Sequence, residues 1–505
     1  MKPTHFINVL TYMMVILWFP LQAQDKREVE IIHADFLKYH EVGARKLTML
    51  VGDVQLRQED MYMRCDSAVL YRESNSVEAY GNVRIKQDTI MAYGSTLRYD
   101  GNTRLGILSG NVLLTDREMR LHTREMYYDV NSKMAYYLSG GKVYRDSSII
   151  VSRKGYYYSN LREVFFKDDV NITDPNYRLQ SDTLRYNIDS KVSTFYGNTL
   201  IYNKDSRIAC RNGWYDSRRD VSAFGRGTSV HSPPQTLFTD SLYYDRANGF
   251  GRAYHRFRWV DSSMDVELFG RYGEYYDKRQ YIMATRKPLL LYKMDDDTLL
   301  LTADTLKSQT VSDTDSTRMF YAFRNVRMYT RDMQGICDSV FYSFADSTFR
   351  MFYQPVIWNE ETQLSGDTVF LRTKDKKPDK LSIHNAGLII TPSGRKYFDQ
   401  IKGVNIYGYF TNNQLIKAEI RGSAESIYFG KDEHNKYLGC NRAQSNDIDM
   451  LFTDKKLSRI VFIRKPEAIF TPIRQLTPEM MKLKEFKWVP EMRPSSRQEF
   501  FSLLE

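Results

Sequence analysis

The chain repeats itself every 29 residues, and this period constrains its fold more than any single motif does. One aromatic or apolar slot recurs at that spacing, at Leu70, Tyr99, Tyr128, Tyr157, Tyr186, Tyr215 and Tyr244. Short blocks surround the slot, such as GSTLRYD ending at Asp100 and TDSLYYD ending at Asp245. A fixed period in this range is typical of repeat proteins whose units stack on their neighbours. We therefore predict a stack built from one supersecondary unit.

A glycine stands 18 residues before the aromatic slot in several repeats and opens a segment of alternating character. After Gly81, apolar Val83 and Ile85 alternate with charged Arg84 and Lys86. Alternation with period two is the signature of a strand with one buried and one solvated face. The abundance of Tyr, Val, Ile and Thr agrees with strands. The sequence therefore predicts an all-β chain.

A third recurrent position, five residues before the aromatic slot, holds a small residue in nearly every repeat. Small residues inside strands are typical of bends, bulges or close backbone approach. We predict that each repeat contributes two long antiparallel strands, each bent where it passes from one sheet to a facing sheet. The predicted bend positions are Gly52, Gly81, Gly110, Gly197, Cys65, Gly94, Thr123, Ser181 and Cys210.

The spacing of the repeats divides the chain into regions. Residues 1–23 read as a signal peptide, with Lys2, an apolar run from Val9 to Phe19 and a small Ala23 before the expected cut. Regular repeats occupy 24–286, and a second, more divergent repeat region occupies 287–472. The remaining tail, 473–505, is expected to be helical or irregular, with one helix over 478–488 and another beginning near Arg497. We interpret the tail as a cap on the end of the stack, with a partner-docking segment as the alternative.

The net charge of +10 and the predicted export signal limit the possible partners. A basic exported protein favours anionic glycolipids, polysaccharides or membrane surfaces, and nucleic acid is excluded as a partner. The alternative is that the charges merely solvate the outer faces of strands.

No constellation of residues indicates catalysis. The sequence has no nucleophile elbow, phosphate loop or paired metal ligands, so we predict no enzyme, no cofactor and no metal site. A repeated acidic slot, which includes Asp66, Asp182 and Asp240, is interpreted as binding local backbone at the strand bends. The cysteines in the small-residue slot lie many strands apart, so buried thiols are expected rather than disulfides.

These motifs resemble the OstA-like family, which includes the periplasmic lipopolysaccharide-transport protein LptA and the N-terminal domain of LptD. The resemblance rests on GNVRIKQ followed by AYGSTLRYD, and on GNVLLTD followed by HTREMYYD. It covers about residues 30–290 well and 300–470 weakly. It implies an elongated β-jellyroll of two facing antiparallel sheets with a V-shaped section and an apolar interior that carries acyl chains.

The alternation of side chains supplies candidates for that interior. We expect these residues to line a lipid groove: Val54, Leu56, Val83, Ile85, Leu97, Val112, Leu114, Met126, Val170, Ile172 and Leu184. The alternative is a sealed core that holds no lipid.

The resemblance implies a non-enzymatic conduit that carries lipopolysaccharide, or a similar acylated glycolipid, across the periplasm for outer-membrane assembly. Other lipopolysaccharide-transport jellyroll proteins are expected as end-to-end partners, and homo-oligomers through open sheet ends are a further expectation. Association with the outer membrane is left open. The alternative function is a structural or adhesive repeat protein that binds surface glycans.

Overall fold

The computed structural model describes residues 28–504 except 43–44, 118, 278–279, 295, 312–316, 413 and 455. The predicted signal peptide therefore lies outside the described residues. The described residues form two compact units. The first ends at Asp146 and also includes Lys154–Asn160, and the second comprises Ser147–Arg153 and the chain from Leu161 onward.

The fold is all-β, as predicted. Strands β1 to β18 are β1 (Glu30–His33), β2 (Phe36–Val42), β3 (Arg45–Gln58), β4 (Met61–Tyr71), β5 (Ser76–Gln87), β6 (Ile90–Asp100), β7 (Leu105–Asp116), β8 (Met119–Asp129), β9 (Met134–Tyr137), β10 (Gly141–Arg145), β11 (Ser148–Ser152), β12 (Lys154–Tyr158), β13 (Glu163–Thr173), β14 (Arg178–Asn187), β15 (Val192–Tyr202), β16 (Arg207–Asp216), β17 (Val221–Phe224) and β18 (Thr228–Ser232).

Strands β19 to β37 are β19 (Gln235–Asp245), β20 (Phe250–Asp261), β21 (Val266–Tyr276), β22 (Tyr281–Thr285), β23 (Leu289–Lys293), β24 (Thr298–Thr302), β25 (Thr305–Thr310), β26 (Arg318–Tyr329), β27 (Met333–Ser343), β28 (Thr348–Phe352), β29 (Val356–Asn359), β30 (Thr362–Ser365), β31 (Thr368–Lys374), β32 (Lys377–Ser393), β33 (Tyr397–Thr411), β34 (Gln414–Lys431), β35 (Tyr437–Thr453), β36 (Lys456–Ile463) and β37 (Glu467–Pro472). Two 3-10 turns, Ile473–Gln475 and Pro490–Met492, and one α-helix, α1 (Arg497–Phe501), follow.

Successive long strands pair antiparallel, and most of these pairings shift register at one place; the β33–β34 and β34–β35 pairings shift at two. Between β5 and β6 the shift lies between Tyr80 and Val83, where Gly81 and Asn82 have positive φ angles of 75° and 45°. Two residues of one strand thus stand opposite one residue of the next, which is a bulge that bends the strand. Similar left-handed pairs include Gly52–Asp53, Gly110–Asn111, Asp168–Asp169, Arg324–Asn325, Asn385–Ala386 and Gly422–Ser423.

The bulge divides each long strand into two halves that belong to different sheets. We call the sheet of halves that carry the aromatic slot sheet A, and the sheet of halves that are joined by the hairpins sheet B. In β6, for example, Leu97 and Tyr99 lie in sheet A, and Ile90 and Ala92 lie in sheet B. All four side chains are buried, because both sheets turn their apolar faces toward one interior.

Glycine is required at the bulge for two reasons. At Gly110, φ is +85°, a conformation that residues with a Cβ atom rarely adopt. A Cβ there would also lie 2.6 Å from Oγ and 2.7 Å from Cβ of Ser95, on the preceding strand. Backbone conformation and a close neighbour therefore both exclude a side chain.

One sequence-based prediction for the tail is wrong and another is confirmed. No helix forms over 478–488, since the backbone there consists of turns and extended segments. The carbonyl of Met481 and the amide of Leu483 instead bond to the side chain of Gln400, so tertiary contacts override the local helix signal. The helix expected from Arg497 is present as α1.

Replacing Gly110 with Val should destabilise the strands around it. Overpacking against Ser95 and a positive φ at a β-branched residue together cost about 2–4 kcal/mol. Because a stacked repeat couples mainly to its neighbours, the loss should be largest in β6, β7 and β8. Hydrogen exchange of the native protein measures this loss of stability for each strand separately. Arg98→Ala, on the exposed face of β6, is the control and should change little; equal exchange in both variants would show that the bulge tolerates a side chain.

Candidate functional site

The predicted groove residues all lie in the apolar interior of their own unit. Each is at most 7 % exposed, since its side chain points from sheet A or sheet B toward the other sheet. The first unit contains Val54, Leu56, Val83, Ile85, Leu97, Val112, Leu114 and Met126, and the second contains Val170, Ile172 and Leu184.

The predicted bend residues occupy two kinds of place. Gly52, Gly81, Gly110 and Gly197 lie in the bulges with φ angles between +75° and +85°. The small residues lie on the adjoining strands, where space is short: a Cβ on Gly94 would approach Cγ of Leu108 to 2.7 Å. Thr123 donates to the carbonyl of Gly140 at 2.8 Å, and Ser181 shares a 2.8 Å hydrogen bond with Thr199. Burial raises the pKa of the Cys65 and Cys210 thiols to about 11.

The acidic slot lies beside the bulges and binds them. Asp182 Oδ2 accepts from the amide of Asn198 at 2.8 Å, and Asp66 Oδ2 accepts from Nδ2 of Asn82 at 2.9 Å. These carboxylates thus bind the corner of the next strand, Asp182 through its backbone and Asp66 through an asparagine side chain. The sequence interpretation expected local backbone as the partner, so it is correct about the bend but not about the partner.

In the first unit a ladder of buried hydrogen bonds joins the two sheets. The hydroxyl of Tyr99 donates to Gln58, that of Tyr128 to Gln87, and that of Tyr157 to Asp116. Tyrosines come from sheet A and acceptors from sheet B, and both sets repeat every 29 residues. We call these three pairs the latch. Sequence reasoning missed its acceptors, although they follow the glycines by six residues in three successive repeats.

Ion pairs lie outside the latch, at the tips of the same two sheets. Arg104, in the turn after β6, binds Glu59 in the hairpin after β3 at 2.8 Å. Lys133, in the turn after β8, binds Asp88 in the hairpin after β5 at the same distance. The side of the first unit opposite the bulges is therefore closed by latch bonds inside and ion pairs outside.

The second unit has a cavity at the corresponding place, between the tips of sheets A and B. Its volume is about 60 Å³, and its lining is apolar except for a few side chains such as Lys307, Ser308 and Arg318. Trp259, Leu268, Leu290 and Leu301 line it from sheet B, and Leu306, Ser308, Arg318, Phe320 and Phe349 line it from sheet A.

The tail lies on the outer face of sheet B in the second unit, so the prediction that it caps the end of the stack is wrong. Alternation identifies the face: Leu290 packs in the interior, whereas its neighbour Leu289 contacts Phe500 of α1. Farther along, Leu388 and Ile390 of sheet B pack with Leu483 of the tail. The physical reason is that these strands are apolar at successive positions and need cover on both faces.

Three buried glutamines hold the tail in place. Gln400 bonds to Met481 O and Leu483 N, at 2.8 Å each. Gln363 bonds to Lys487 O at 2.7 Å and Val489 N at 3.0 Å, and Gln334 accepts from Arg493 at 2.7 Å. An amide that both donates to and accepts from backbone imitates a neighbouring strand, so the tail is bound as an extended segment.

The described residues lack two features. Within that part of the chain, no three His, Cys, Asp or Glu side chains are grouped to hold a metal ion. None of the described helices is long and apolar enough to cross a membrane.

Comparisons with known proteins agree with the resemblance seen in the sequence. Residues 26–182 match the family model described as OstA-like protein. No curated protein matches the chain. Among solved structures, LptH of Pseudomonas aeruginosa, titled the LptA homologous periplasmic component of a lipopolysaccharide transport device, aligns at 12% identity over 26% of this chain and 79% of its own. The TM-score is 0.14, at which the likeness supports no structural conclusion.

The latch should make the first unit sensitive to alkali. Burial is the main cause that raises the pKa of Tyr99 to about 12, against about 10 for an unfolded tyrosine. The folded state therefore favours the neutral phenol over the phenolate. The resulting contribution to the free energy of unfolding is complete below pH 10 and is lost as the pH rises toward 12. That loss is about 2–3 kcal/mol.

Urea unfolding at pH 9 and pH 11 measures the effect. Tyr99→Phe removes the titrating group and should lose less stability between these pH values than the wild type. Tyr62→Phe, an exposed tyrosine on β4, should behave as the wild type does. An equal loss in the Tyr99→Phe protein would contradict a contribution of this phenol.

Replacing Gln363 with Ala should loosen the tail. The change leaves Lys487 O and Val489 N without their partner, at about 1–3 kcal/mol for the buried amide of Val489 and less for the part-buried carbonyl of Lys487. Trypsin should then cut at Lys487 faster than in the wild type. Gln414→Ala, in an exposed position at the start of β34, is the matched control; unchanged cleavage in the Gln363 variant would mean that apolar packing alone fixes the tail.

Proposed function

We propose that this chain, which is an OstA-like protein over residues 26–182, is an exported, non-enzymatic carrier that shelters the acyl chains of lipopolysaccharide or a similar glycolipid in the periplasm. The observation that carries the proposal is the inner stripe of apolar residues, which recurs at the repeat period on both sheets. Val54, Val83 and Val112 occupy equivalent places in successive repeats and are at most 1 % exposed. A binding surface built in this way extends with the number of repeats, as a long acyl chain requires.

The energetics favour such a surface. Each methylene moved from water to an apolar environment gains about 0.8 kcal/mol, so twelve methylenes gain about 10 kcal/mol. A free lipid in water would have to bear this free-energy cost of exposed methylenes, and sheltering them needs no chemical step. A carrier therefore needs only shape and apolarity, which agrees with a non-enzymatic role.

Loading requires the two sheets to separate, because side chains fill the interior of the first unit. The latch bonds each contribute about 1 kcal/mol net, and partly exposed ion pairs such as Arg104–Glu59 contribute about 0–1 kcal/mol. Their sum is smaller than the gain from one buried acyl chain. The gain from burying one acyl chain thus exceeds the loss of the latch bonds and ion pairs when the two sheets separate on this side.

Strands β2 and β37, near the two ends of the described chain, suit end-to-end association with other jellyroll proteins of lipopolysaccharide transport, or with further copies of the chain. Phe36 is 67 % exposed on β2, and Ile469 is 70 % exposed on β37. Within the described residues, β2 pairs only with β3 and β37 only with β35. Such edges offer unpaired backbone groups and apolar side chains to a further strand.

A second candidate function, glycan binding, has one observation in its favour. Six half-buried rings form a row on the outer face of sheet A in the second unit, with centroids of adjacent rings 5.1 to 6.1 Å apart: Phe323, Phe341, Phe352, Phe370, His384 and Tyr407. Their tilted packing on one another equally serves the sheet itself as cross-strand aromatic pairs. Cleavage by external protease in intact cells would favour the surface role, and protection would favour the periplasmic carrier.

Photo-crosslinking in cells tests the carrier function. A photoreactive residue at Val83, Val112 or Val170 should capture lipopolysaccharide, because each side chain points into an interior. Arg84, on the outer face of β5, is the matched control and should capture little. Capture from Arg84 alone would overturn the proposal.

A further inference from the structure

The cavity of the second unit combines an apolar interior with two cationic side chains in its lining, Lys307 and Arg318. Lys307 lies over the rings of Tyr281 and Tyr321, whereas Arg318 lies at the mouth. Arg318 is the first residue of β26 and lies at the tip of sheet A, half-buried. Its Nε donates to Oγ of Ser308 at 2.9 Å, and its Nη1 contacts Sδ of Met264, in the hairpin tip of sheet B, at 3.0 Å. The guanidinium thus spans the mouth of the cavity from one sheet to the other.

Within the part of the chain that the structure describes, no acidic side chain pairs directly with this cation. Among the described residues Arg318 forms no salt bridge, and its two polar contacts are with neutral groups. Asp261 is the carboxylate whose charge acts most strongly on Arg318. Its oxygens already have partners, since Oδ1 accepts from the amides of Ser263 and Met264 and Oδ2 accepts from Gln235. Burial lowers the pKa of Arg318, while Asp261 and Tyr275 oppose that shift. The group remains charged at neutral pH, because an arginine pKa starts above 12.

A half-buried cation without a counter-ion is costly unless a ligand supplies the missing charge. Guanidinium has five N–H donors and binds carboxylate or phosphate oxygens in pairs, whereas Arg318 makes only two polar contacts with the described residues. An anion at this place would therefore find free donors. The same anion would find no such partner deeper in the cavity, where the lining is apolar.

The cavity itself suits hydrocarbon. Trp259, Leu268, Leu290 and Leu301 face Leu306 and Phe320 across it. Its volume of about 60 Å³ has room for roughly four or five water-sized groups, and its mainly apolar lining offers water few hydrogen-bond partners. A short stretch of an alkyl chain fits this space, and the remainder of a longer chain would lie between the sheets by moving Met264 and Phe349.

We propose that this cavity is a binding site for a single acyl chain with an anionic head group, in which the chain lies between the sheets and the carboxylate or phosphate binds Arg318. The site belongs to the second unit, beyond the residues that match the OstA-like model. It rests on the proposed function only in taking the interior to be accessible to acyl chains. It adds to that function a place where one chain and its charged group are recognised together.

Tryptophan fluorescence tests the proposal on the full chain. The probe is dodecanoate with bromine on its terminal carbon, since bromine quenches an indole that it contacts. Trp259 lines the cavity, so quenching should saturate in the wild type and disappear in Trp259→Phe. Quenching that persists in Trp259→Phe would place the probe at another tryptophan and overturn the site.

The role of the cation is tested with two ligands and a matched variant. Arg318→Gln should weaken dodecanoate binding about tenfold but change binding of the uncharged bromo-dodecanol less than twofold, and Arg318→Lys should retain most of the affinity. Arg98→Gln, an exposed arginine of the first unit, should change neither ligand. Equal loss of both ligands in Arg318→Gln, or loss of neither, would contradict an ion pair with the head group.

Competition distinguishes the sources of the anion. Dodecyl phosphate should displace the brominated probe, and inorganic phosphate should not, because free phosphate lacks the chain. Displacement by inorganic phosphate would reduce the site to an anion site and overturn the proposal. Lipopolysaccharide capture at Val112 without dodecanoate binding would sink this site alone, whereas dodecanoate binding without capture would sink the carrier function alone.

Discussion

The structure depends on a corner: two left-handed residues that stand opposite one residue of the next strand. At Gly81 and Asn82 the chain turns from sheet A to sheet B, and Asp66 of the neighbouring strand binds that corner. Because the corner returns at the repeat spacing, the bends of successive strands align and two facing sheets result. The buried stripe, the latch and the cavity all follow from this one local geometry, since each lies between the sheets that the corner creates.

Much of this fold is readable from the sequence because its signals are local and repeated. Alternation placed Val83 and Val112 inside, and the glycines marked the corners. The second residue of each corner was missed, although the pairs Gly81–Asn82 and Gly110–Asn111 carried the signal, because Asn and Asp tolerate positive φ. The acceptors of the latch were also visible in principle, since Gln58 and Gln87 stand in equivalent places.

The tail was mispredicted for a different reason. Helix propensity from Pro478 onward is a local preference, whereas the side chains of Gln363 and Gln400 bind the tail from 124 and 83 residues away. One sequence signal did point to a cover: the apolar runs at 289–291, 299–301 and 388–390 leave neither face of their strands polar. Such runs predict burial on both faces but do not say what provides it. The sequence alone also does not distinguish Arg318 from the other arginines, because its neutral surroundings become visible only in the folded structure.

The binding of the tail has a consequence for how the molecule folds. Hairpins such as β5–β6 join neighbours in sequence and close small loops, so they form early. Arg497 meets Asp297 across 200 residues, and Arg493 meets Gln334 across 159, so these contacts form late. Between the two stages, the outer apolar surface around Leu388 is bare in an otherwise assembled sheet. This interval is the one in which the chain is most prone to aggregate, because apolar surface is exposed in a partly assembled sheet.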